Sequence, residues 1–437
     1  MKHSKQKPHN QRLGEPVVLQ IEKPLYGGAF LSHLDGKAVF VPLTLPGELA
    51  RIRITEDKRG YATGEAEVIV TSVPERVMPG CRHFGTCGGC HYQHADYQTQ
   101  LALKRAILFE TMERAHVEMP KAIDVLAGEP WAYRNRIRIA FDSAGSPGYR
   151  GRRSHTIVPI SECPIAAPLL VKAAFAVADA AGEFAPSLQQ TEVSLFCNSN
   201  ETELLASVSV GSRLNFSFDR FCGVLSERIP TLRGAELLVE DRARHESQTK
   251  DRWGAPSLAY RAGKVDYRVD QGAFFQVNRW LIDELVDRVT RGYTGALAWD
   301  LFAGVGLFAR RLAKNFERVV AVESSPTALA ALNQNLTGMT AEAVKAETLA
   351  FLRGQNRASR PDLIIVDPPR TGLGTEITSQ LADIRSPGLV YVSCDPATLA
   401  RDLHALIDSG YAIESMTLID LFPQTFHLET VVHLKRA

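Results

Sequence analysis

The sequence has no long uninterrupted apolar run. The longest apolar stretch, from Ala166 to Gly182, contains Pro168, Lys172 and Asp179, whereas a helix that crosses a bilayer needs about 20 predominantly apolar residues. The opening segment MKHSKQKPHNQRL carries basic residues but no apolar core, so it does not form a secretory signal. We therefore expect no membrane as a partner and predict a cytoplasmic location.

The sequence also lacks an excess of charge of either sign. Its 437 residues include 50 basic and 49 acidic residues, which leaves a formal charge of +1. A histone-like polycation is excluded, and any affinity for nucleic acid must come from local groups of basic residues. With 45% hydrophobic residues, the composition is typical of a folded protein, and the length predicts two or three domains.

No internal repeat is present, and the chain divides by composition into four segments. Residues 1–13 form a basic polar tail, and residues 14–74 contain short β-branched runs typical of an OB-like β-barrel. Residues 75–264 form a mixed α+β central domain, in which the segment from His94 to Glu118 has helical periodicity. Residues 265–437 form the last domain.

In this last domain, buried strands alternate with helical segments, which predicts an α/β fold with a mostly parallel, doubly wound sheet. The predicted strands are ALAWDLF, ERVVAVE, PDLIIVD and GLVYVSC. Ligands of this Rossmann-like fold bind at the carboxyl ends of the strands, so the residues that follow these runs are the candidate site residues.

Two of these strand ends predict a nucleoside-binding site. The glycine turn Gly304-Val305-Gly306 follows ALAWDLF, and ERVVAVE ends in Glu323. Glycines allow the backbone to approach a ligand closely, and a carboxylate at the next strand end can accept hydrogen bonds from ribose hydroxyls. The spacing alone fits NAD, FAD and S-adenosylmethionine equally well.

The other two strand ends carry an acid and a cysteine. PDLIIVD ends in Asp367, which two prolines follow, and GLVYVSC ends in Cys394. Asp395 and Pro396 suit the N-cap and first position of a helix that stops at Gly410. At such a helix start we expect the thiolate form of Cys394 to be favoured, as a nucleophile requires. Near the C-terminus, the segment PQTFHLET offers two candidates for proton transfer, His427 and Glu429.

Four cysteines in the central domain indicate a metal site. Three lie in the glycine-rich segment CRHFGTCGGC, and Cys163 follows much later. The candidate ligands are Cys81, Cys87, Cys90 and Cys163. Spacing alone does not distinguish zinc from an iron–sulfur cluster. Cys197 and Cys222 have no cysteine near them in sequence and are predicted to be core residues.

The steepest local charge lies between Trp131 and His155, where six arginines accompany a single acid, Asp142. Alternation in YRNRIRIAF would place several of these arginines on one face of a strand, near Tyr133 and Phe141. This pattern predicts an RNA platform for phosphates and stacked bases. Its arginines are Arg134, Arg136, Arg138, Arg150, Arg152 and Arg153.

Taken in order, four motifs resemble those of the RNA uracil-5-methyltransferases, which make 5-methyluridine with S-adenosylmethionine. They are DLFAGVGLFA, VDPPRTGL, VSCDPATLARDL and PQTFHLETV. VFVPLTLPGE resembles the signature of the TRAM domain, a small RNA-binding barrel, and FQVN resembles the segment that leads into the methyltransferase domain. The resemblance spans nearly the whole chain.

The resemblance implies a role for each site residue. Cys394 would add to carbon 6 of the target uracil and activate carbon 5. Glu429, rather than His427, would remove the proton from carbon 5. The cofactor-binding residues would be Gln276, Phe302, Glu323 and Asp367. Leu307 departs from members that carry a polar residue after the second glycine, which removes one side-chain contact.

A subset of the family carries a [4Fe–4S] cluster on the same cysteine arrangement, so the resemblance favours iron–sulfur. Because methyl transfer moves no net electrons, we predict a structural role for it. The resemblance also favours 23S rRNA, at a loop or distorted region, with a tRNA uridine as the alternative. No obligate protein partner is predicted. More remote alternatives are a non-catalytic RNA-binding module and an NAD-dependent iron–sulfur oxidoreductase.

Overall fold

The computed structural model describes residues 13–184, 191–211, 217–241, 246–355 and 360–436. The chain divides into two compact units. The N-terminal unit contains residues up to Phe109 together with Pro423–His427, and the C-terminal unit contains Glu110–Phe422 and the chain from Leu428 onward. Almost all of the predicted basic tail lies outside the described residues. Among the helices that the structure describes, none is long and apolar enough to cross a membrane.

A six-stranded sheet forms the body of the N-terminal unit in its described residues. Its strands are β1 (Pro16–Gln20), β2 (Lys23–Pro24), β3 (Ala29–Leu34), β4 (Lys37–Pro42), β5 (Leu49–Asp57) and β6 (Tyr61–Thr71). They lie in the order β1-β5-β6-β4-β3-β2. Ala50, Ile52 and Ile54 of β5 are buried, because alternate side chains of a strand point to the same face.

Helix α1 (Tyr97–Arg114) is shorter than the predicted helix. It begins after Asp96, whose carboxylate accepts a hydrogen bond from the Thr99 amide at 2.7 Å. It ends two residues before His116, which has a left-handed backbone with φ of 56°. The N-cap and this turn therefore set the ends, and helical periodicity alone does not show them.

The next part of the chain, in the C-terminal unit, contains a mixed sheet covered by helices. This part of the chain comprises β7 (Asp124–Leu126), β8 (Arg136–Phe141), β9 (Pro147–Arg150), β10 (Ile157–Pro159), α2 (Pro168–Phe184), β11 (Glu192–Cys197), β12 (Leu204–Val210), α3 (Phe218–Arg228), β13 (Leu232–Asp241) and β14 (Glu246–Gly254). All of these strands except β7 belong to the mixed sheet. The sheet order is β10-β9-β8-β11-β12-β13-β14. Helix α2 buries Leu170, Ala173, Ala174 and Val177, the spacing of one helix face. The same core contains Cys197 and Cys222, which confirms that both are core residues.

The remainder of the C-terminal unit alternates strands and helices. Its elements are β15 (Ser257–Ala262), β16 (Val265–Asp270), α4 (Ile282–Thr290), β17 (Gly295–Leu301), α5 (Ala309–Leu312), β18 (Phe316–Glu323), α6 (Pro326–Asn335), β19 (Ala341–Lys345), α7 (Thr348–Arg353), β20 (Leu363–Val366), α8 (Gly374–Ile384), β21 (Gly388–Ser393), α9 (Pro396–Asp408), β22 (Tyr411–Ile419) and β23 (Glu429–Arg436).

Strands β15 and β16 pair with each other in a separate two-stranded sheet. The other strands form one sheet in the order β19-β18-β17-β20-β21-β23-β22, to which β7 adds at the edge. The first five are parallel to their neighbours, whereas β23 is antiparallel to β21 and β22. All residues of β20 and β21 are buried, as in parallel strands that are covered on both faces. The predicted mixed α/β fold with a mostly parallel sheet is confirmed.

Candidate active site

The predicted site residues meet at one edge of the parallel sheet. Phe302, Glu323, Asp367 and Cys394 lie at or directly after the carboxyl ends of β17, β18, β20 and β21. The antiparallel pairing of Ser393 with Thr430 places Glu429, the first residue of β23, beside the end of β21. The fold therefore brings together residues that are far apart in the sequence, as expected for a doubly wound sheet.

The glycine turn after β17 has the backbone that the predicted nucleoside site requires. Gly304 and Gly306 have φ of 55° and 90°, a region that side chains disfavour. A Cβ placed on Gly304 would meet no atom within 4 Å, so the turn has open space beside it. Phe302 shares the left-handed conformation, with φ of 67°, which is a strained backbone for an aromatic residue.

Backbone amides hold the carboxylate of Glu323 in place. Its Oε2 accepts a hydrogen bond from the Gly304 amide at 2.8 Å, and its Oε1 accepts one from the Ser325 amide at 2.7 Å. Each carboxylate oxygen has a second lone pair. Glu323 can therefore orient the glycine turn and still accept hydrogen bonds from two ribose hydroxyls.

Asp300, within β17, is a site residue that the sequence analysis missed. It is fully buried, and its Oδ2 accepts a hydrogen bond from the Ala309 amide at 2.8 Å. Its Oδ1 is buried without a partner in the described chain. Burial raises the pKa of Asp300 to about 8. The available signal was the acid in the otherwise apolar run ALAWDLF, since a buried carboxylate oxygen needs a donor.

The cofactor candidate Gln276 and the turn residue Leu307 both have buried side chains. Gln276 is buried between β16 and α4, and its backbone carbonyl accepts a hydrogen bond from the Asn135 side chain at 2.9 Å. Leu307 packs into the apolar core, and its carbonyl accepts a hydrogen bond from the Tyr267 hydroxyl at 3.3 Å. Leu307 thus anchors the end of the glycine turn to the core of the C-terminal unit.

Cys394 precedes a helix with the predicted cap. The carboxylate of Asp395 accepts hydrogen bonds from the amides of Ala397 and Thr398, each at 3.0 Å, and Pro396 is the first residue of α9. The expectation of a thiolate at this helix start is wrong, however. Burial, followed by the charges of Glu429 and Asp367, raises the pKa of Cys394 to about 12. Burial and two carboxylates outweigh the helix dipole, so the resting thiol is protonated.

Asp367 and Glu429 are two buried carboxyls whose charges act on this thiol. Burial raises the pKa of Asp367 to about 7. Burial and the charge of Asp367 raise the pKa of Glu429 well above its usual range. The charge of Asp367 thus affects the ionisation of Glu429. The raised pKa values give each carboxylate a higher proton affinity than a carboxylate in water has, which favours a general base.

His427, the other predicted proton-transfer candidate, lies in the N-terminal unit, whereas Glu429 lies in the C-terminal unit.

Within the N-terminal unit, Gln424 is held by a reciprocal pair of hydrogen bonds with Gln100, both at 2.9 Å. The Gln424 carbonyl also accepts hydrogen bonds from the His91 and Tyr92 amides. This arrangement joins residues more than 300 positions apart, and no local sequence pattern indicates it.

The predicted metal ligands belong to different units. Cys81, Cys87 and Cys90 lie in the N-terminal unit, and Cys163 lies in the C-terminal unit. In the ranges that the structure describes, no three His, Cys, Asp or Glu side chains form a group that could hold a metal ion. The chemistry of the donors nevertheless fits an iron–sulfur cluster, since all four are thiols and the Gly89 amide donates to the Cys87 sulfur at 3.4 Å.

The predicted arginine platform contains side chains in different environments. Arg138 and Arg150 are exposed and both contact Glu192, at 3.8 Å and 2.8 Å. The guanidinium of Arg136 instead lies 4.3 Å from the ring centre of Phe196 and donates to the Ala273 carbonyl at 2.8 Å. Burial and the charge of Arg138 lower the pKa of Arg136 to about 10. Arg136 therefore has a structural role that the strand pattern did not predict.

The Rossmann-like sheet and the open glycine turn define a nucleoside-binding α/β fold. Comparison with known proteins identifies its class as that of the S-adenosylmethionine-dependent methyltransferases. Residues 254–437 match the family model of the tRNA (uracil-5-)-methyltransferases, and residues 11–66 match the TRAM domain.

The similarity to individual proteins extends over the whole chain. An uncharacterized RNA methyltransferase of Thermotoga maritima is 31% identical over 95% of this chain and 98% of its own length. The 23S rRNA (uracil(1939)-C(5))-methyltransferase RlmD of Shewanella piezotolerans is 29% identical over 98% of this chain and 97% of its own. The Pyrococcus abyssi tRNA (uracil-54, C5)-methyltransferase, solved with S-adenosyl-L-homocysteine, has a TM-score of 0.74 at 25% identity, with 95% of this chain and 100% of that chain covered.

The chain therefore belongs to the RNA uracil-5-methyltransferase family. It methylates carbon 5 of uridine in RNA and depends on S-adenosylmethionine.

Proposed function

We propose that this enzyme methylates a uridine of 23S rRNA through a temporary covalent bond between Cys394 and the target base. The observation that carries the proposal is the convergence of Cys394, Asp367 and Glu429 beside the glycine turn, at one edge of the sheet. S-adenosylmethionine supplies a methyl group on a positively charged sulfur. Its adenosine portion would be held by the glycine turn and Glu323, with Phe302, Gln276 and Asp367 nearby.

The carboxyl pair would serve the nucleophile and then the proton removal. The Cys394 sulfur bonds to carbon 6, and the electron pair of the carbon 5–carbon 6 double bond moves toward the uracil carbonyl. Because the resting thiol is protonated, its proton must leave before the bond to carbon 6 forms. Asp367, one of the two carboxyls beside the thiol, would accept this proton, so that Glu429 stays available for the carbon 5 proton. Carbon 5 then gains the methyl group, and the bond between that methyl group and the cofactor sulfur would break, which leaves S-adenosyl-L-homocysteine.

The last step needs a base of high proton affinity. Glu429, as the carboxylate, takes the proton from carbon 5, the double bond forms again and the bond between carbon 6 and the Cys394 sulfur breaks. The buried environment that raises the pKa of Glu429 makes its carboxylate a stronger base than one in water.

RNA that carries 5-fluorouridine at the target position tests this mechanism, because fluorine at carbon 5 cannot leave as a proton. We expect the wild-type enzyme with S-adenosylmethionine to form an adduct that withstands denaturation. Cys394→Ala should form none, whereas Cys222→Ala, which changes a core cysteine, should still form it. Adduct formation by Cys394→Ala would contradict the assignment of the nucleophile and support a non-catalytic role for Cys394.

Two relatives support 23S rRNA as the substrate. The RlmD proteins of Shewanella piezotolerans and Halomonas elongata match 98% and 94% of this chain, and both are named for uracil 1939 of 23S rRNA. The tRNA alternative remains, since the Pyrococcus abyssi enzyme is named for a tRNA uracil. Mapping of 5-methyluridine in total RNA from cells with and without this protein distinguishes them. Loss of a tRNA modification with intact rRNA would overturn the rRNA proposal.

We also propose that Cys81, Cys87, Cys90 and Cys163 hold a [4Fe–4S] cluster with a structural role. Support comes from the all-thiol donor set and the amide hydrogen bond to Cys87. Protein purified without oxygen should contain iron and acid-labile sulfide in equal amounts, and Cys87→Ala should lose both. If the purified protein contained zinc and no sulfide, the four cysteines would bind zinc, and the cluster proposal would be wrong. Unchanged stability and RNA affinity after loss of the cluster would overturn its structural role.

The arginine strand is proposed as an RNA contact through its exposed and half-buried members. These candidates are Arg134, Arg138, Arg150, Arg152 and Arg153. We expect Arg138→Ala to weaken RNA binding. The slope of log K against log salt should become smaller by about one unit, the loss of one phosphate contact. Arg136→Ala should instead lower the free energy of unfolding, because its guanidinium packs against Phe196. Equal RNA affinity for wild type and Arg138→Ala would contradict the platform.

A further inference from the structure

A cavity of about 320 Å³ lies in the C-terminal unit, outside the proposed active-site residues. Its walls come from the turn between β15 and β16, from helix α4, and from α5 with the residues that follow it. Apolar wall residues include Val265, Tyr267 and Val286. The charged residues of the lining are Lys264, Arg310, Arg311, Lys314, Asp283 and Asp287.

Two of these charged residues are already engaged within the protein. Asp287 forms an ion pair with Arg291 one helical turn away. Arg310 donates to the Asp266 carbonyl at 2.9 Å, and its guanidinium lies 5.2 Å from the ring centre of Tyr267. The Nε of Arg310 is nevertheless buried without an acceptor in the described residues. One donor on the cavity wall therefore lacks a partner.

The four basic residues of the lining outnumber its two acids, Asp283 and Asp287. Lys264, Arg311 and Lys314 are exposed, and within the part of the chain that the structure describes their side chains form no hydrogen bond or ion pair. Three such cations around one concavity stand out in a chain whose 50 basic and 49 acidic residues nearly balance. Like charges held close together repel, and a bound anion relieves that repulsion.

We propose that this cavity binds a phosphate group of the RNA substrate, away from the uridine that is methylated. The proposal rests on the assigned activity, since RNA is the anion that this enzyme must bind. Arginine and lysine are the usual phosphate ligands in proteins, and the apolar wall can contact the adjoining sugar. The Tyr267 hydroxyl donates to the Leu307 carbonyl at 3.3 Å, so this wall also contacts the residue that directly follows the glycine turn.

The test compares two triple variants that each remove three positive charges from the C-terminal unit. The cavity variant is Lys264→Gln with Arg311→Gln and Lys314→Gln. The matched control is Arg318→Gln with Arg353→Gln and Lys435→Gln, which removes cations that are ion-paired with Glu342, Glu376 and Glu414. RNA affinity is measured for both variants and for wild type over a range of salt concentrations.

We expect the cavity variant to bind RNA about tenfold or more weakly at low salt and to lose about one to two units of the slope of log K against log salt. The control variant should lose less than half as much of the slope as the cavity variant does. Equal slopes in the two variants would overturn the proposal. Thermal unfolding, expected to be unchanged because the three side chains are exposed, shows that both variants are folded.

Two further measurements distinguish an RNA phosphate from a small anion and separate the cavity from the methylation chemistry. Binding of inorganic pyrophosphate to wild type but not to the cavity variant, with no change in the RNA slope, would show a small-anion site and would overturn the RNA assignment. Adduct formation with saturating 5-fluorouridine RNA should be retained in the cavity variant. Absence of the adduct in wild type would contradict the proposed mechanism. The comparison of salt slopes would still show whether the cavity binds an RNA phosphate.

Discussion

At Cys394, two local influences on a thiol oppose each other. The helix start after Asp395 stabilises negative charge, whereas burial and the carboxyls of Asp367 and Glu429 raise the thiol pKa to about 12. The positive charge of Arg370 counteracts them only in part. The proposed nucleophile is thus a thiol in the protein without ligands, and its activation would depend on the neighbouring carboxyls.

The role of Glu429 predicts which intermediate accumulates when it is changed. Glu429→Gln cannot take the proton from carbon 5, so the covalent RNA complex should form with ordinary uridine RNA and persist. Turnover should fall by about 10² to 10⁴, the usual contribution of a general base. Denaturing gel electrophoresis measures the complex, and methyl incorporation measures turnover.

The control for this change is Glu414→Gln, which alters an exposed glutamate of β22 that pairs with Lys435. It should turn over as wild type does. If Glu429→Gln released methylated RNA at the wild-type rate, Glu429 would not be the base, and another group at the site would have to accept the proton.

Asp300 predicts a pH effect on stability in the absence of cofactor. Its folded-state pKa is raised from 3.8 to about 8 by burial, so the native state binds this proton more tightly than the unfolded state does. The stabilisation is therefore complete below about pH 4 and is lost as the pH rises toward 8, by up to about 1.4 kcal/mol per pH unit. Asp300→Asn removes this dependence.

Urea unfolding of wild type and Asp300→Asn from pH 5 to 8 measures the effect. The variant should gain stability relative to wild type as the pH rises. The matched control, Asp408→Asn, removes an exposed carboxylate from α9. A difference between Asp300→Asn and wild type that stays constant over this range would contradict the buried titration.

The motifs predicted Cys394 and Glu429 because each lies within a short, recognisable segment, whereas Glu323 was predicted from its place at the end of the strand that follows the glycine turn. They did not predict the direction of the Cys394 pKa shift, because the helix cap is visible in adjacent residues whereas Glu429 reaches the thiol only through the pairing of β21 with β23. Asp300 was missed for a related reason, since its burial depends on the complete sheet.

At the scale of elements, helix α9 holds the loop that follows Asp367. The buried carboxylate of Asp402 accepts hydrogen bonds from the Leu373 amide at 2.7 Å and from the Tyr391 hydroxyl at 2.8 Å. Gly372, in this loop, has φ of 70°. A Cβ on it would lie 2.5 Å from Asp402 Oδ2. The loop therefore fits against α9 only when this residue lacks a side chain.

We expect Gly372→Ala to lower the free energy of unfolding by about 3 kcal/mol, from backbone strain together with the clash. Gly338→Ala is the control, because Gly338 has φ of 75° but a Cβ there meets nothing within 4 Å. It should cost about 1 kcal/mol from the backbone alone. Urea unfolding measures both, and equal losses would show that contact with α9 is unimportant.

The distinction between local sequence patterns and pairings of distant segments also explains which elements could be predicted. The buried runs of β17, β18, β20 and β21 identify the parallel sheet and its ligand-binding edge. The antiparallel β23, inserted between β21 and β22, and the addition of β7 at the edge depend on pairings between distant segments. On β8, alternation predicted that Arg136 and Arg138 share a face, but not that Phe196 of β11 covers Arg136.

At the scale of the whole molecule, the proposed cofactor residues Gln276, Phe302, Glu323 and Asp367 all belong to the C-terminal unit. Binding of S-adenosyl-L-homocysteine, the product form of the cofactor, should therefore slow amide hydrogen exchange in peptides that contain β17, β18 and the glycine turn. Peptides of the N-terminal sheet, from Pro16 to Thr71, should be unaffected. At about 100 times the dissociation constant, the ligand should stabilise the binding unit by about 2.7 kcal/mol.

Glu323→Gln provides the control for this prediction, because its amide can keep only one of the two backbone hydrogen bonds that Glu323 accepts and is a weaker acceptor for ribose hydroxyls. Protection at a fixed ligand concentration should fall in this variant. Protection that appears in the N-terminal sheet as strongly as in β17 and β18 would mean that cofactor binding is coupled to both units, and the assignment of the cofactor site to one unit alone would then be wrong.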